Sequence, residues 1–312
     1  SGEPTAPAAG EVAEPLPRVL VISVDGLNPD ALRRLGADGA PALHRMLREG
    51  AGTLNARSQV EQTITLPNHT SMLTGRRIAR KHGGHGVTWT GHRPGTTVQK
   101  AAGHPVGSIF SVVHAAGRQS ALFAAKRKFS IFDRSWPAID RVTIRDQRDG
   151  ALVKAVRRDL VDHDRAFTFV HLGDVDRAGH AHGFMGPAYL EAVRRTDARI
   201  DAILHTVDTH PELAERLTVV VTSDHGGRGG GHSDPARLAD YRVPFLVRGP
   251  DVVPGDLYDL NPGYRDPGAR RVLFRGRQPV RNGDVANFAA SLLGLPPVPG
   301  SLWDRDQGLR AR

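Results

Sequence analysis

At 312 residues, with 39% hydrophobic and 24% charged residues, the chain is long enough to bury a sizeable core and lacks the composition of a disordered or fibrous protein. A formal charge of +9, carried by scattered Arg among only 5% aromatic residues, points to a solvated basic surface, and no nucleic-acid binding is expected. Cys is absent, which excludes disulfides and thiolate metal sites, and no apolar run approaches the roughly 18 residues that a transmembrane helix needs.

The opening SGEPTAPAAGEVAEPLP has no basic-then-apolar signal pattern. It reads as a flexible segment over residues 1–17, the tether left after an export signal or lipid anchor is removed. The expected location is therefore outside the cytoplasm (secreted, periplasmic or surface-tethered), with a cytoplasmic protein as the alternative. Residues 18–312 read as a single catalytic domain. Five short apolar runs, at 18–24, 119–124, 166–172, 217–223 and 243–247, have the character of strands buried on both faces. Helical patterns fall between them at 30–35, 41–49, 106–116, 151–162 and 187–207, and a last one lies at 284–293. This alternation predicts an α/β fold with a mostly parallel central sheet and helices on both faces. Glycine-rich tracts at 81–103 and 226–235 read as loops at the site, and 249–280 is too rich in Pro, Gly and Asp to assign.

Acidic residues recur where strand-like runs end, the edge at which open α/β sheets place ligands. Asp25 ends the first run and precedes Gly26; taken alone it could equally start a turn. Thr65 opens TLPNHTSMLTG, where Pro67 and Asn68 read as a turn into a short helix. A hydroxyl at that N-terminus has N–H groups nearby to receive phosphate oxygens, although an N-cap threonine looks the same. Asp176 and His180 follow the run at 166–172, in a loop crowded by His171, Asp174 and His182, any of which could orient a ligand. Carboxylate with imidazole suits zinc, with manganese possible. Asp224 and His225 open the glycine loop that brings back His232; such a loop could hold ions or merely be mobile.

These segments, VISVDGL from Val21, TLPNHTSMLTG, HGVTW over 85–89, DRAGHAHG over 176–183 and SDHGGRGGGH over 223–232, together resemble the alkaline phosphatase superfamily and, within it, the nucleotide pyrophosphatase/phosphodiesterase branch. The resemblance implies two Zn2+ ions, one held by Asp25, Thr65, Asp224 and His225 and the other by Asp176, His180 and a later histidine. In that branch the last ligand usually lies far downstream; no His follows His232, which takes the place here as in shorter superfamily members. It also implies hydrolysis of a small-molecule phosphate ester through a phosphothreonine at Thr65, with net retention at phosphorus. Asn68 and Thr90 are the expected substrate donors, and Trp89 and Trp136 the candidate stacking platforms. Thr90 stands where the branch has an Asn, which weakens any transfer of diester preference. Lys126, Arg127 and Lys128 could meet distal phosphates or face water.

A phosphomonoesterase on the same site is the nearest alternative, and a non-catalytic metal- or anion-binding module the non-enzymatic one. A sulfatase needs a Cys or Ser nucleophile, a mutase-like enzyme an inserted domain, and phosphoethanolamine transfer usually accompanies membrane helices. The sequence carries no sign of oligomeric state.

Overall fold

The computed structural model describes residues 14–306 and 308–312. Most of the proposed 1–17 segment lies outside the described residues; within it, the Leu16 carbonyl accepts a hydrogen bond from buried Arg216. The sheet has eight strands: β1 (Arg18–Val24), β2 (Ala51–Arg57), β3 (Gln119–Ala124), β4 (Arg141–Ile144), β5 (Arg165–Leu172), β6 (Leu217–Thr222), β7 (Arg242–Arg248) and β8 (Gly255–Asp256). Their order is β4-β3-β5-β1-β6-β7-β2-β8. The block from β4 to β6 is parallel throughout, whereas β7 runs antiparallel to both β6 and β2.

All five expected strands are present. In β1, Val19 and Val21 face one core layer while Leu20, Ile22 and Val24 face the other, so both sides are apolar and the run is continuous. The first layer packs the helices Thr65–Thr74, Ile109–Ala115 and Val285–Leu292; the second packs Asp30–Gly39, Pro41–Glu49, Asp149–Asp162 and Pro187–Thr209. Strands β2, β4 and β8 were not expected. They lie toward the sheet margins, and β2 (AGTLNAR) carries a register shift between Thr53 and Ala56 and half-buried Leu54 and Asn55. Partial burial removes the apolar run that marks an interior strand.

Helix ends are also settled at long range. Pro41–Glu49 has no side-chain cap of its own; the Asp197 carboxylate, from the long helix Pro187–Thr209, accepts the Ala42 and Leu43 N–H groups at 3.0 and 2.8 Å. The expected helix at 106–116 starts only at Ile109, where Ser108 makes a capping box with Ser111. The tract 81–103 is mostly loop but contains the short helix Val98–Ala102. Among the described residues no helix is long and apolar enough to cross a membrane.

Candidate active site

Four adjacent parallel strands, β3, β5, β1 and β6, deliver side chains to one carboxyl edge. Asp25 follows β1, Lys126 follows β3, Asp176 follows β5, and Asp224 and His225 follow β6. The chain turns after Asp25 through Gly26, whose φ of 74° is left-handed. A Cβ on Gly26 would lie within 3.2 Å of Asp176, so the glycine lets two site carboxylates approach, and its N–H reaches Asp224 Oδ1 at 3.0 Å. Thr65 is the first residue of its helix, and its hydroxyl lies 3.4 Å from His225 Nε2.

Asp176 and His180 sit on a helix, Asp174–His182, not in the expected loop. Gly179 lies inside this helix, and the position admits only glycine because a Cβ there would lie 2.6 Å from the Phe184 ring. One turn then separates Asp176 from His180 and puts both on one face. Phe184 packs edge-on against His180 and His232, and its backbone pairs with Gly229, pinning the glycine loop that carries His232. Gly179→Ala is therefore expected to cost about 1–3 kcal/mol in a urea titration; unchanged stability would mean that the ring gives way freely.

Each site carboxylate has one oxygen held by the protein and one bare. Asp25 Oδ2 accepts from Lys126 Nζ and His171 Nε2, both at 2.8 Å; Asp176 Oδ2 accepts from the same ammonium at 2.8 Å; Asp224 Oδ1 accepts the Gly26 and His225 N–H groups. Asp25 Oδ1, Asp176 Oδ1 and Asp224 Oδ2 are buried with no hydrogen-bond partner. Those three atoms face imidazole nitrogens: His225 Nε2 is 3.4 Å from Asp25 Oδ1 and 3.2 Å from Asp224 Oδ2, while His180 and His232 Nε2 are 3.3 and 3.7 Å from Asp176 Oδ1. The donors fall into two groups with metal-ligand spacing, Asp25/Asp224/His225 and Asp176/His180/His232. Buried carboxylate oxygens left bare are costly unless a cation takes them, so the residues present fit a pair of divalent ions.

The tautomers suit the same purpose. His225 Nδ1 donates to the Gly226 carbonyl at 2.8 Å and His232 Nδ1 to the Thr63 carbonyl at 2.7 Å, which turns each Nε2 toward the carboxylates. His171 accepts the Ala125 N–H at Nδ1, so its Nε2–H donates to Asp25. Burial opposes charge on His225, but Asp224, Asp25 and Asp176 outweigh it and hold the imidazole at about 9. Burial, with the neighbouring His225, pushes His232 down to about 4. Against burial, Lys126 and His171 hold Asp25 well below the usual carboxylate range, whereas burial and the Asp25 charge push Asp224 up.

All seven expected metal and nucleophile residues, Asp25, Thr65, Asp176, His180, Asp224, His225 and His232, thus meet at one place. The expected substrate residues divide. Thr90 lies beside the nucleophile, its hydroxyl 3.4 Å from the Leu66 N–H. Asn68 does not face the cleft: its amide accepts the Gln59 N–H and donates to the Gln62 and Ile64 carbonyls, and its own N–H stays within the helix turn to Ile64. Asn68 instead fastens the 59–64 loop that leads into Thr65. Trp89 is half-buried under the Arg93 guanidinium, 4.4 Å from the ring centre. Trp136 is buried and donates to the Val106 carbonyl, a packing position. Of the crowding residues only His171 reaches a site carboxylate; Asp174 pairs with Arg177 and Arg199, and His182 is exposed.

Sequence reasoning missed Lys126 as the link between Asp25 and Asp176. It also missed His69, which joins the Thr65 carbonyl to Ser23 from one helical turn further on. His85, from HGVTW, is buried, accepts the Val87 N–H and meets Ser71 at 3.0 Å. Burial pushes its pKa down to about 3. Because the folded value lies below the unfolded value of about 6.5, the stability His85 contributes is whole above that pH. It is lost as pH falls toward 3, at up to about 1.4 kcal/mol per unit. Wild type is expected to lose melting temperature between pH 6.5 and 4 more steeply than His85→Gln, and parallel curves would contradict a neutral buried His85.

With this geometry in place, residues 19–241 match the model of the type I phosphodiesterase/nucleotide pyrophosphatase family. The chain belongs to that family. Murine ectonucleotide pyrophosphatase/phosphodiesterase 5, in an inactive threonine-to-alanine form complexed with AMP, superposes with a TM-score of 0.67 at 15% identity, covering 94% of this chain and all of that one. The lipoteichoic acid synthase LtaP from Listeria monocytogenes gives a TM-score of 0.61 at 12% identity over 89% of this chain and 72% of its own. In sequence, mouse GPI ethanolamine phosphate transferase 1 is 23% identical over 90% of this chain but only 32% of its own length, and the Yarrowia lipolytica protein of that name is 26% identical over 44% and 15%. The chain thus spans about a third or less of these relatives. The family and the likeness place it in the alkaline phosphatase-like fold.

Proposed function

We propose that this chain cleaves phosphate esters, of the phosphodiester or nucleotide pyrophosphate kind, by moving the phosphoryl group first to the Thr65 hydroxyl and then to water. The carrying observation is the set of three bare, buried carboxylate oxygens opposite imidazole nitrogens, with the Thr65 oxygen beside them. Two bound divalent cations, zinc by the donor set with manganese as the alternative, would supply Lewis-acid charge at the Thr65 oxygen and at the departing oxygen. Thr65 presents its oxygen at a helix start, where the first N–H groups can receive phosphate oxygens. The Thr65 oxygen–phosphorus bond forms as the ester bond breaks and the leaving group departs. Water then attacks phosphorus and frees the threonine, so two inversions give net retention.

The test is release of p-nitrophenol by zinc-loaded protein from bis-p-nitrophenyl phosphate and from p-nitrophenyl phosphate. Release from the diester that disappears with chelator supports the reading; faster release from the monoester favours a phosphomonoesterase. No release from either by protein holding its metal would leave a binding module.

The names of the mouse and Yarrowia relatives favour a second reading, that the group on Thr65 passes to an alcohol acceptor rather than to water. That no described helix is long and apolar enough to cross a membrane does not argue against it, since the chain spans only part of those proteins. Both readings share the first half-reaction and differ in the acceptor. Adding ethanolamine or a sugar alcohol during turnover separates them: a transferase forms the new ester in preference to the hydrolysis product.

A further inference from the structure

Lys126, Arg127 and Lys128 follow β3 and line one cavity next to Asp176 and His180. Their surroundings differ. The Lys126 ammonium is bound between Asp25 and Asp176 at 2.8 Å each. Arg127 is exposed, and its backbone N–H caps onto Asp146. Lys128 is half-buried and, among the described residues, has no carboxylate within ion-pair distance; its nearest hydrogen-bonding atom is the Thr90 hydroxyl, at 3.5 Å. Burial pushes its pKa down, and the Lys126 charge adds to this. Asp25, Asp176 and Asp224 favour the ammonium only from beyond ion-pair distance and burial outweighs them, so an anionic ligand in direct contact would offset a remaining cost.

Its neighbours indicate the ligand. The Thr90 hydroxyl also meets the Leu66 N–H, and Leu66 is the residue after Thr65. An ammonium, a hydroxyl and a first-turn N–H therefore lie together beside the nucleophile, and Lys128 also lines a cavity of about 520 Å³ with Lys126, Asp176 and His180. All three can donate, which is the chemistry that holds phosphate oxygens.

Building on the Thr65 phosphoester reading, we propose that Lys128, with the Thr90 hydroxyl, holds a non-bridging oxygen of the reacting phosphate, and that its full charge biases the site toward phosphates carrying a second negative charge. A diester phosphate has one negative charge and a monoester close to two at neutral pH, so the ammonium gains more from the monoester. The bias is a ratio between substrates and holds whichever ester is turned over faster.

The test compares wild type, Lys128→Met and Lys128→Arg, each zinc-loaded, on p-nitrophenyl phosphate and bis-p-nitrophenyl phosphate, with calorimetric titration of inorganic phosphate. Lys128→Met is expected to lose about tenfold or more in kcat/KM on the monoester, less than about threefold on the diester, and to weaken phosphate binding about tenfold. Lys128→Arg should recover most of the loss. Equal falls on both esters, or unchanged kinetics with an unchanged phosphate Kd, would overturn the proposal. If wild type turns over neither ester, the phosphoester reading fails and the phosphate Kd alone decides on Lys128. The variant should melt at or above the wild-type temperature, because it removes an unpaired charge; a lower melting temperature together with lost binding on both probes would assign Lys128 to packing and overturn it as well.

Discussion

Thr65→Ala is expected to lower kcat by about four orders of magnitude or more on any ester the protein cleaves, while both metals stay bound. Thr65 opens its helix, and alanine keeps its Cβ while losing the hydroxyl and one γ-methyl, so little packing is lost. What disappears is the oxygen beside His225 Nε2. One group of protein ligands still offers two carboxylate oxygens and an imidazole nitrogen, the other one carboxylate oxygen and two imidazole nitrogens, and metal content should therefore remain near wild type. Thr65→Ser keeps the hydroxyl and should retain measurable turnover. Single-turnover kinetics with metal analysis of the same samples would check this. An alanine variant with near-normal turnover would place the nucleophile elsewhere, and one that lost its metals would show Thr65 to be chiefly a ligand.

The second large effect is expected at Lys126. Its ammonium joins the carboxylates of the two groups, and its pKa is driven up by Asp25 and Asp176 against the cost of burial. In Lys126→Met, Asp176 Oδ2 loses its partner and Asp25 Oδ2 keeps only His171. Removing one side of a buried charge cluster typically costs about 3–5 kcal/mol, which should appear in the metal-free protein as a lower urea midpoint. Bound cations would offset part of that loss, so the deficit should shrink on loading. Freed carboxylates also lose their orientation, and metal affinity should fall about 10–100-fold in a competition assay against a chelating dye. An unchanged midpoint together with an unchanged metal affinity would mean that the ammonium lies apart from the carboxylates in solution.

How far the sequence carries follows from where each residue's partners lie. The runs that became β1, β3, β5, β6 and β7 were readable because these interior strands are buried on both faces, and the acids that follow them were readable because the carboxyl edge is where such sheets hold ligands. Strands β2, β4 and β8 could not be read, since partial burial lets polar residues interrupt the pattern. The segment of Asp176 and His180 read as a loop, and the reason for the glycine inside its helix, the Phe184 ring against Gly179, lies beyond the helix end. Lys126 read as a contact for distal phosphates because Asp25, its partner, is 101 residues away in the chain. Asn68 read as a substrate donor from its turn-like setting, yet Gln59, Gln62 and Ile64 take its amide. Long-range pairing has no local signature, whereas strand ends and helix starts do.

The most direct test of the two-cation site is anomalous diffraction at the zinc edge from crystals grown with zinc. Two peaks per chain are expected, one among Asp25 Oδ1, Asp224 Oδ2, His225 Nε2 and the Thr65 oxygen, the other among Asp176 Oδ1, His180 Nε2 and His232 Nε2. A single peak, or peaks away from these bare carboxylate oxygens, would contradict the account.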